Sequence, residues 1–313
     1  MSQQSQSHAS TGTWLPGFLA LGVTWGASFL FIKWGLLGFS SVGVAFLRCA
    51  IGGLTLLIYS LATKTKLPTK PKELAHIAVV ALLLNSVPGY LFAVGETHVT
   101  SVMAGLLNAT TPLMTVLVIS VGFREQRITP NQVLGIIVGF AGIILVTGAF
   151  RGVSSNSLTG VLELLGATLC YGISFPYSRR YVNVLSYPPR ALAATQVTIA
   201  AILLTPSAII GGIVARHNGT TIKFSAIPAK ALWGIAILGG LGTGFAYIWN
   251  FRNVRLAGSV IASTVTYITP VVATGLGIWL LNENFQLSQV FGGLCVLLSG
   301  ALVQNRITLL KRS

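Results

Sequence analysis

The chain has no aspartate at all. Its five acids are Glu73, Glu96, Glu125, Glu163 and Glu283, and charged residues make up only 8% of 313 positions, against about 25% in soluble domains. That scarcity argues against a water-soluble globule. Cys49, Cys170 and Cys295 lie far apart inside apolar runs, which leaves no disulfide framework and no CxxC metal site. The patterns HExxH, GxxxxGK[ST] and GxSxG are missing, and His and Cys do not cluster, so metal-assisted, phosphate-loop and nucleophile-elbow catalysis lack their parts. An ATP-driven pump is excluded on the same ground. No enzyme, metal or cofactor is expected.

What the chain does have is apolar length: 53% of residues are hydrophobic and the mean hydropathy is +0.79. Apolar runs fall at 14–34, 40–62, 74–94, 98–122, 131–149, 158–178, 188–213, 231–250, 257–281 and 288–305. Each is close to the roughly 20 residues that a bilayer-spanning helix needs. The expected fold is all-α and polytopic, in a lipid bilayer, between a polar tail at 1–13 and a basic tail at 306–313.

The formal charge of +15 does not point to nucleic acid, because the basic residues sit between apolar runs rather than on one aromatic-lined face. Their distribution sets orientation instead. With both termini cytoplasmic, the inner side holds Lys64, Lys66, Lys70, Lys72, Arg124, Arg127, Arg179, Arg180, Arg190, Arg252, Arg255, Arg306, Lys311 and Arg312. The outer side holds Lys33, Arg151, Arg216, Lys223 and Lys230, and Arg48 lies within the second run.

The chain also repeats itself. A shift of 158 residues lays Ser101, Val102, Ala104, Thr111, Pro112, Glu125, Gly135 and Gly142 on Ser259, Val260, Ala262, Thr269, Pro270, Glu283, Gly293 and Gly300. A shift of 146 lays Trp25-Gly26-Ala27-Ser28-Phe29 on Tyr171-Gly172-Ile173-Ser174-Phe175. Segments 14–149 and 158–305 are thus two copies of a five-helix unit. Because five is odd, the second copy enters the membrane from the opposite side, the inverted-repeat arrangement of secondary transporters.

Val102-x-Ala104 to Thr111-Pro112-Leu113, Glu125, Gly135 and Gly142, repeated as Val260-x-Ala262 to Thr269-Pro270-Val271, Glu283, Gly293 and Gly300, resemble the EamA-type drug/metabolite transporter superfamily. Trp25-Gly26-x-Ser28-Phe29 and Arg48 fit the same resemblance, which implies ten helices in two inverted repeats carrying small metabolites, often outward. The stretch Gly244-Phe245-Ala246-Tyr247-Ile248-Trp249-Asn250 with Tyr267-Ile268-Thr269-Pro270 further resembles the YddG-type amino-acid exporters. The style of the family implies a bacterial inner membrane.

A substrate site is expected near the midplane between the repeats. Trp25, Ser28 and Phe29 share a helical face roughly 15–20 Å into the first span, and Tyr171, Ser174 and Phe175 repeat it. That face suits an apolar side chain and one polar group, or it is ordinary packing against Gly26 and Gly172. Pro112 and Pro270 free the carbonyls of Asn108 and Thr266. Those oxygens line a cavity as acceptors at a paired kink, or they are satisfied by a neighbouring Ser or Thr. Asn85, Tyr247, Asn250 and Tyr267 complete the expected lining. Arg48 attracts a carboxylate or clamps the bundle. Glu163 is a proton-coupling carboxylate or merely reaches water, and His98 is a gate or pH-sensitive group. Glu125 and Glu283 read as structural markers that cap the next helix or pair with a nearby Arg.

A small molecule is the expected partner, most simply an amino acid. A phosphorylated cargo such as a nucleotide sugar would need more Lys or Arg at the midplane than Arg48 alone. A non-transporting receptor or channel is the other class. Gly135-x-x-x-Gly139 either dimerises or packs within one bundle, so a homo-oligomer is left open.

Overall fold

A computed structural model describes residues 11–120, 129–148, 155–220, 224–250, 252–253, 256, 264–304, 306–307 and 309. Glu125, Ser259, Val260 and Ala262 of the sequence repeat lie outside the described residues. Ten apolar helical segments follow one another: α1 Thr11–Gly35, α2 Ser41–Ala62, α3 Pro71–His98, α4 Ser101–Val118, α5 Pro130–Thr147, α6 Ser155–Tyr181, α7 Pro189–His217, α8 Ala229–Asn250, α9 Val265–Leu281 and α10 Leu287–Val303. The first eight are long and apolar enough to cross a membrane, and the last two are shorter.

The helix starts are written in side chains. Ser40 Oγ accepts from the Gly43 amide at 3.1 Å, and Thr100 Oγ1 from Met103 at 3.1 Å. Thr129 with Gln132 and Gln286 with Gln289 form capping boxes at the starts of α5 and α10, the same device at matched places in the two units. Large apolar side chains cover the outside, among them Leu61, Trp233, Val271 and Trp279. Such an apolar exterior belongs to lipid rather than to water.

The packing has internal two-fold symmetry. Helix α1 packs on α8 and α9, and α6 packs on α3 and α4; α2 meets α7 and α8, and α7 meets α2 and α3. Helices α4 and α9 meet each other, as do α5 and α10. Advancing every helix by five turns each of these contacts into another of the set. The same holds at residue scale: a methyl on Gly26 would stand 2.6 Å from Val272, and one on Gly172 would stand 2.9 Å from the backbone of Met114, the residue matched to Val272. Gly135 and Gly139 face Val303 and Ser299 of α10, so that glycine pair closes a seam within the chain.

Two irregularities recur at matched positions. Helix α3 contains a π-helical turn at Leu82–Ser86 and α8 one at Gly240–Phe245, and a shift of 158 brings them into register. Helix α4 breaks between Asn108 and Thr111, just before Pro112, and α9 opens with the 3-10 turn Thr264–Tyr267, just before Pro270. Broken and bulged helices inside a membrane bundle mark the places where backbone can line a cavity.

Candidate functional site

The π-helical turns carry the centre of the site. Asn85 lies in the first and Thr243 in the second. The Gln196 amide of α7 donates to Asn85 Oδ1 at 2.7 Å, and Arg48 Nε of α2 reaches Thr243 Oγ1 at 3.4 Å. Since Arg48 matches Gln196 and Asn85 matches Thr243, these are one interaction made twice across the internal two-fold. Asn85 also donates to the Tyr247 hydroxyl at 2.8 Å, and the Trp25 ring meets the Tyr247 ring edge-on at 6.3 Å between centroids. A polar chain thus runs from Gln196 through Asn85 to Tyr247 and ends on Trp25.

Arg48 stands within electrostatic reach of both the Tyr247 and Tyr171 phenols. Both Arg48 and Tyr171 keep partial exposure in the middle of the bundle, as does Trp25. Polar and aromatic surface left open at that depth faces the interior. On the Tyr171 side the position matched to Tyr247 is Gly89, where a methyl would meet nothing nearer than Arg48 Cδ at 3.8 Å. The two-fold is therefore broken where the second unit offers a phenol and the first has no side chain.

The other expected site residues scatter. Ser28 Oγ bonds the Thr24 carbonyl of its own helix at 3.1 Å. Phe29 sits in the main core against Phe92 at 5.7 Å, and Phe92 continues to Tyr171 at 5.9 Å. Ser174 is fully buried, whereas Phe175 is 47% exposed, so the face Tyr171-Ser174-Phe175 rotates away from the interior by its last residue. Asn250 lies at the end of α8, nearly a turn beyond Tyr247 and apart from the network. Tyr267 packs on Gly300 of α10.

At Asn108 and Thr266 the geometry matches the second of the two readings, a carbonyl satisfied by a neighbouring hydroxyl. Thr111 Oγ1 donates to the Asn108 carbonyl at 2.8 Å, and Thr269 Oγ1 to the Thr266 carbonyl at 3.1 Å. The hydroxyl beside each proline supplies the donor that the proline removes.

The end of the bundle at the α1–α2 connection is tied by charge. Lys33 Nζ donates to the Glu96 main-chain oxygen and, at 2.7 Å, to that of Val99. Glu283 accepts from the Ser101 amide at 2.8 Å, the Val102 amide at 2.9 Å and the Ser101 hydroxyl at 3.0 Å. It therefore caps α4 of the other unit, whereas the sequence predicts that it caps the helix that follows it or pairs with a nearby Arg. His98 Nε2 stands 4.0 Å from Glu163 Oε2 at this end. At the opposite end His76 bonds Tyr177 at 2.8 Å and stacks on Tyr181. Tyr187 donates to Glu73 at 3.0 Å, a bond to the carboxylate that raises the phenol above its ordinary range. No cluster of metal-ligating side chains occurs among the described residues.

Sequence reasoning missed Gln196 and Glu96. Gln196 occupies the place matched to Arg48, and a glutamine inside an apolar helix is itself a signal. Glu96, near a helix end, carried no signal separating it from an ordinary interfacial acid.

Ten helices in two oppositely inserted units, with a polar site between them, define the class of polytopic membrane carriers. The EamA-like transporter family matches residues 12–148 and 158–304, and the chain belongs to that family. It is 28% identical over 268 residues to the inner membrane transporter YedA of Escherichia coli strain K12, spanning 85% of this chain and 82% of that one. A probable terminal-alkyne amino-acid exporter of Streptantibioticus cattleyicolor is 27% identical over 297 residues, 93% and 92% of the two chains. A transporter of Archaeoglobus fulgidus is 26% identical over 92% and 98%. A solved crystal structure shares the fold with a TM-score of 0.62 at 20% identity, over 93% of this chain and 98% of that one. The protein is an integral membrane transporter of the EamA-like family.

Proposed function

We propose that the protein exports amino acids with aromatic or large apolar side chains across a bacterial inner membrane by alternating access, with both termini cytoplasmic. The observation that carries this reading is the pairing of one cation with an aromatic wall at the centre of the bundle. Arg48 uses Nε on Thr243, which leaves the guanidinium edge to receive a carboxylate in the bidentate geometry that suits it. Tyr247 and Asn85 supply polar contacts for an ammonium, and the rings of Trp25 and Tyr171 supply apolar surface for the side chain. The alkynyl amino-acid exporter named among the relatives supports a zwitterionic, apolar cargo. A nucleotide sugar fits less well, because one arginine does not match a diphosphate.

Alternation is supported by the internal two-fold. The bonds Gln196–Asn85 and Arg48–Thr243 are equivalent, so the two units can exchange conformations while keeping the same kinds of contact. Prolines at matched breaks give each unit its flexing point. A thermal-unfolding screen of the purified transporter tests the cargo. Phenylalanine, leucine and propargylglycine are expected to raise the melting temperature of the wild type and not of Arg48→Ala. Stabilisation by a nucleotide sugar, with none by any amino acid, would overturn the reading.

A further inference from the structure

Glu96, in the last turn of α3, is 0% exposed, and neither carboxyl oxygen has a hydrogen-bond partner among the described residues. The other described glutamates differ. Glu283 has three donors, Glu73 has Tyr187 and Lys70, and Glu163 keeps partial exposure beside His98. A carboxylate sealed from water with no donor is costly as an anion, while the neutral acid can occupy the same place.

None of the charged and titratable groups facing Glu96 donates a hydrogen bond to its carboxyl. From α1, Lys33 is the first neighbouring charge, yet its ammonium is held on the main-chain oxygens of Glu96 and Val99. From α2, Arg48 is a further neighbouring charge but makes no hydrogen bond to the carboxyl. From the α9–α10 connection, Glu283 adds negative charge while it caps α4. On α3 itself stands His98, across the seam on α6 stand Glu163 and Tyr171, and α4 brings no titratable group. All these ties gather the ends of α1, α3, α4 and α9 into one closed face.

We propose that Glu96 is a proton-binding site linked to closure of that face, an inference that rests on the alternating-access reading above. As the face closes, the carboxylate takes one proton from water, forming an O–H bond, while Lys33 is taken up by the two carbonyl oxygens. As it opens, Lys33 leaves those oxygens and pairs with the carboxylate, and the proton returns to water. The face therefore closes more readily at low pH on its own side.

Infrared difference spectroscopy on the full-length transporter in liposomes tests this without any substrate. With no aspartate and five glutamates in the chain, few side chains contribute to the carbonyl stretch of a protonated carboxyl. The wild type is expected to keep such a band at neutral pH, and Glu96→Gln to lose it. Glu96→Asp, which shifts the band without removing the acid, keeps the test valid should Glu96→Gln not fold. No acid band in the wild type at neutral pH, or an unaltered band in Glu96→Gln, would overturn the proposal. A parallel assay of phenylalanine uptake separates the two readings. The band without uptake of any amino acid leaves the proton site standing and removes the cargo; uptake without the band removes the proton site alone.

Discussion

At the scale of single residues, the site is a short set of polar groups that can exist in a membrane only because each has a partner. Gln196 and Asn85 satisfy one another and reach Tyr247. Truncating Gln196 to alanine leaves the Asn85 oxygen buried without a donor, a cost of about 1–3 kcal/mol. Thermal unfolding in detergent is expected to fall accordingly, and an unchanged midpoint would mean that water replaces the amide. Arg48→Ala removes a charge-assisted contact to substrate carboxylate of about 2 kcal/mol, a roughly thirtyfold rise in KM. Arg48→Lys restores the charge without the fork and recovers only part of it. The sequence made Trp25, Arg48, Asn85 and Tyr247 legible because an aromatic or polar residue deep in an apolar run needs a reason. It could not place Phe175, because a helical face drifts and one residue's rotation separates interior from lipid. Nor could it single out Glu96, whose burial comes entirely from helices distant in sequence.

At the scale of helices, the ten spans were legible from apolar length, whereas the caps at Ser40, Thr100 and Thr129 came from the structure. The π-helical turns were not legible either. A bulge adds one residue without changing composition, and only the register between Leu82–Ser86 and Gly240–Phe245 reveals that it is built twice. The prolines were visible, but the hydroxyls of Thr111 and Thr269 that satisfy the freed carbonyls required the helix geometry. Glycine contacts give a paired test at this scale. A methyl on Gly26 would press within 2.6 Å of Val272, whereas Gly275 meets nothing within 4 Å. Gly26→Ala is expected to destabilise by about 1–3 kcal/mol, and Gly275→Ala to be neutral or to stabilise by roughly 0.5–1 kcal/mol. Equal melting temperatures for the two variants would contradict the close seam between α1 and α9. Glu283→Ala exposes the amides of Ser101 and Val102 at the start of α4, a loss of about 1–2 kcal/mol, read in the same assay.

At the scale of the whole molecule, the internal two-fold is both the fold and the argument for function. It was legible because Thr-Pro and the glycines recur at one spacing, and the helix contacts obey it. The orientation argued from Lys and Arg predicts that alkaline phosphatase fused after Thr220, in the α7–α8 connection, is active in bacterial cells, whereas a fusion after Ser313 is inactive. The reverse pattern would invert the topology. The central claim is that amino acids pass through the site between Trp25, Arg48 and Tyr247. Its most direct test is uptake of radiolabelled amino acids into proteoliposomes of the purified transporter, with and without an imposed pH gradient, beside Trp25→Ala. Saturable uptake of phenylalanine or leucine by the wild type, lost in a folded Trp25→Ala, is the result predicted here. A folded wild type that moves no amino acid, or a Trp25→Ala that moves them equally well, would contradict it.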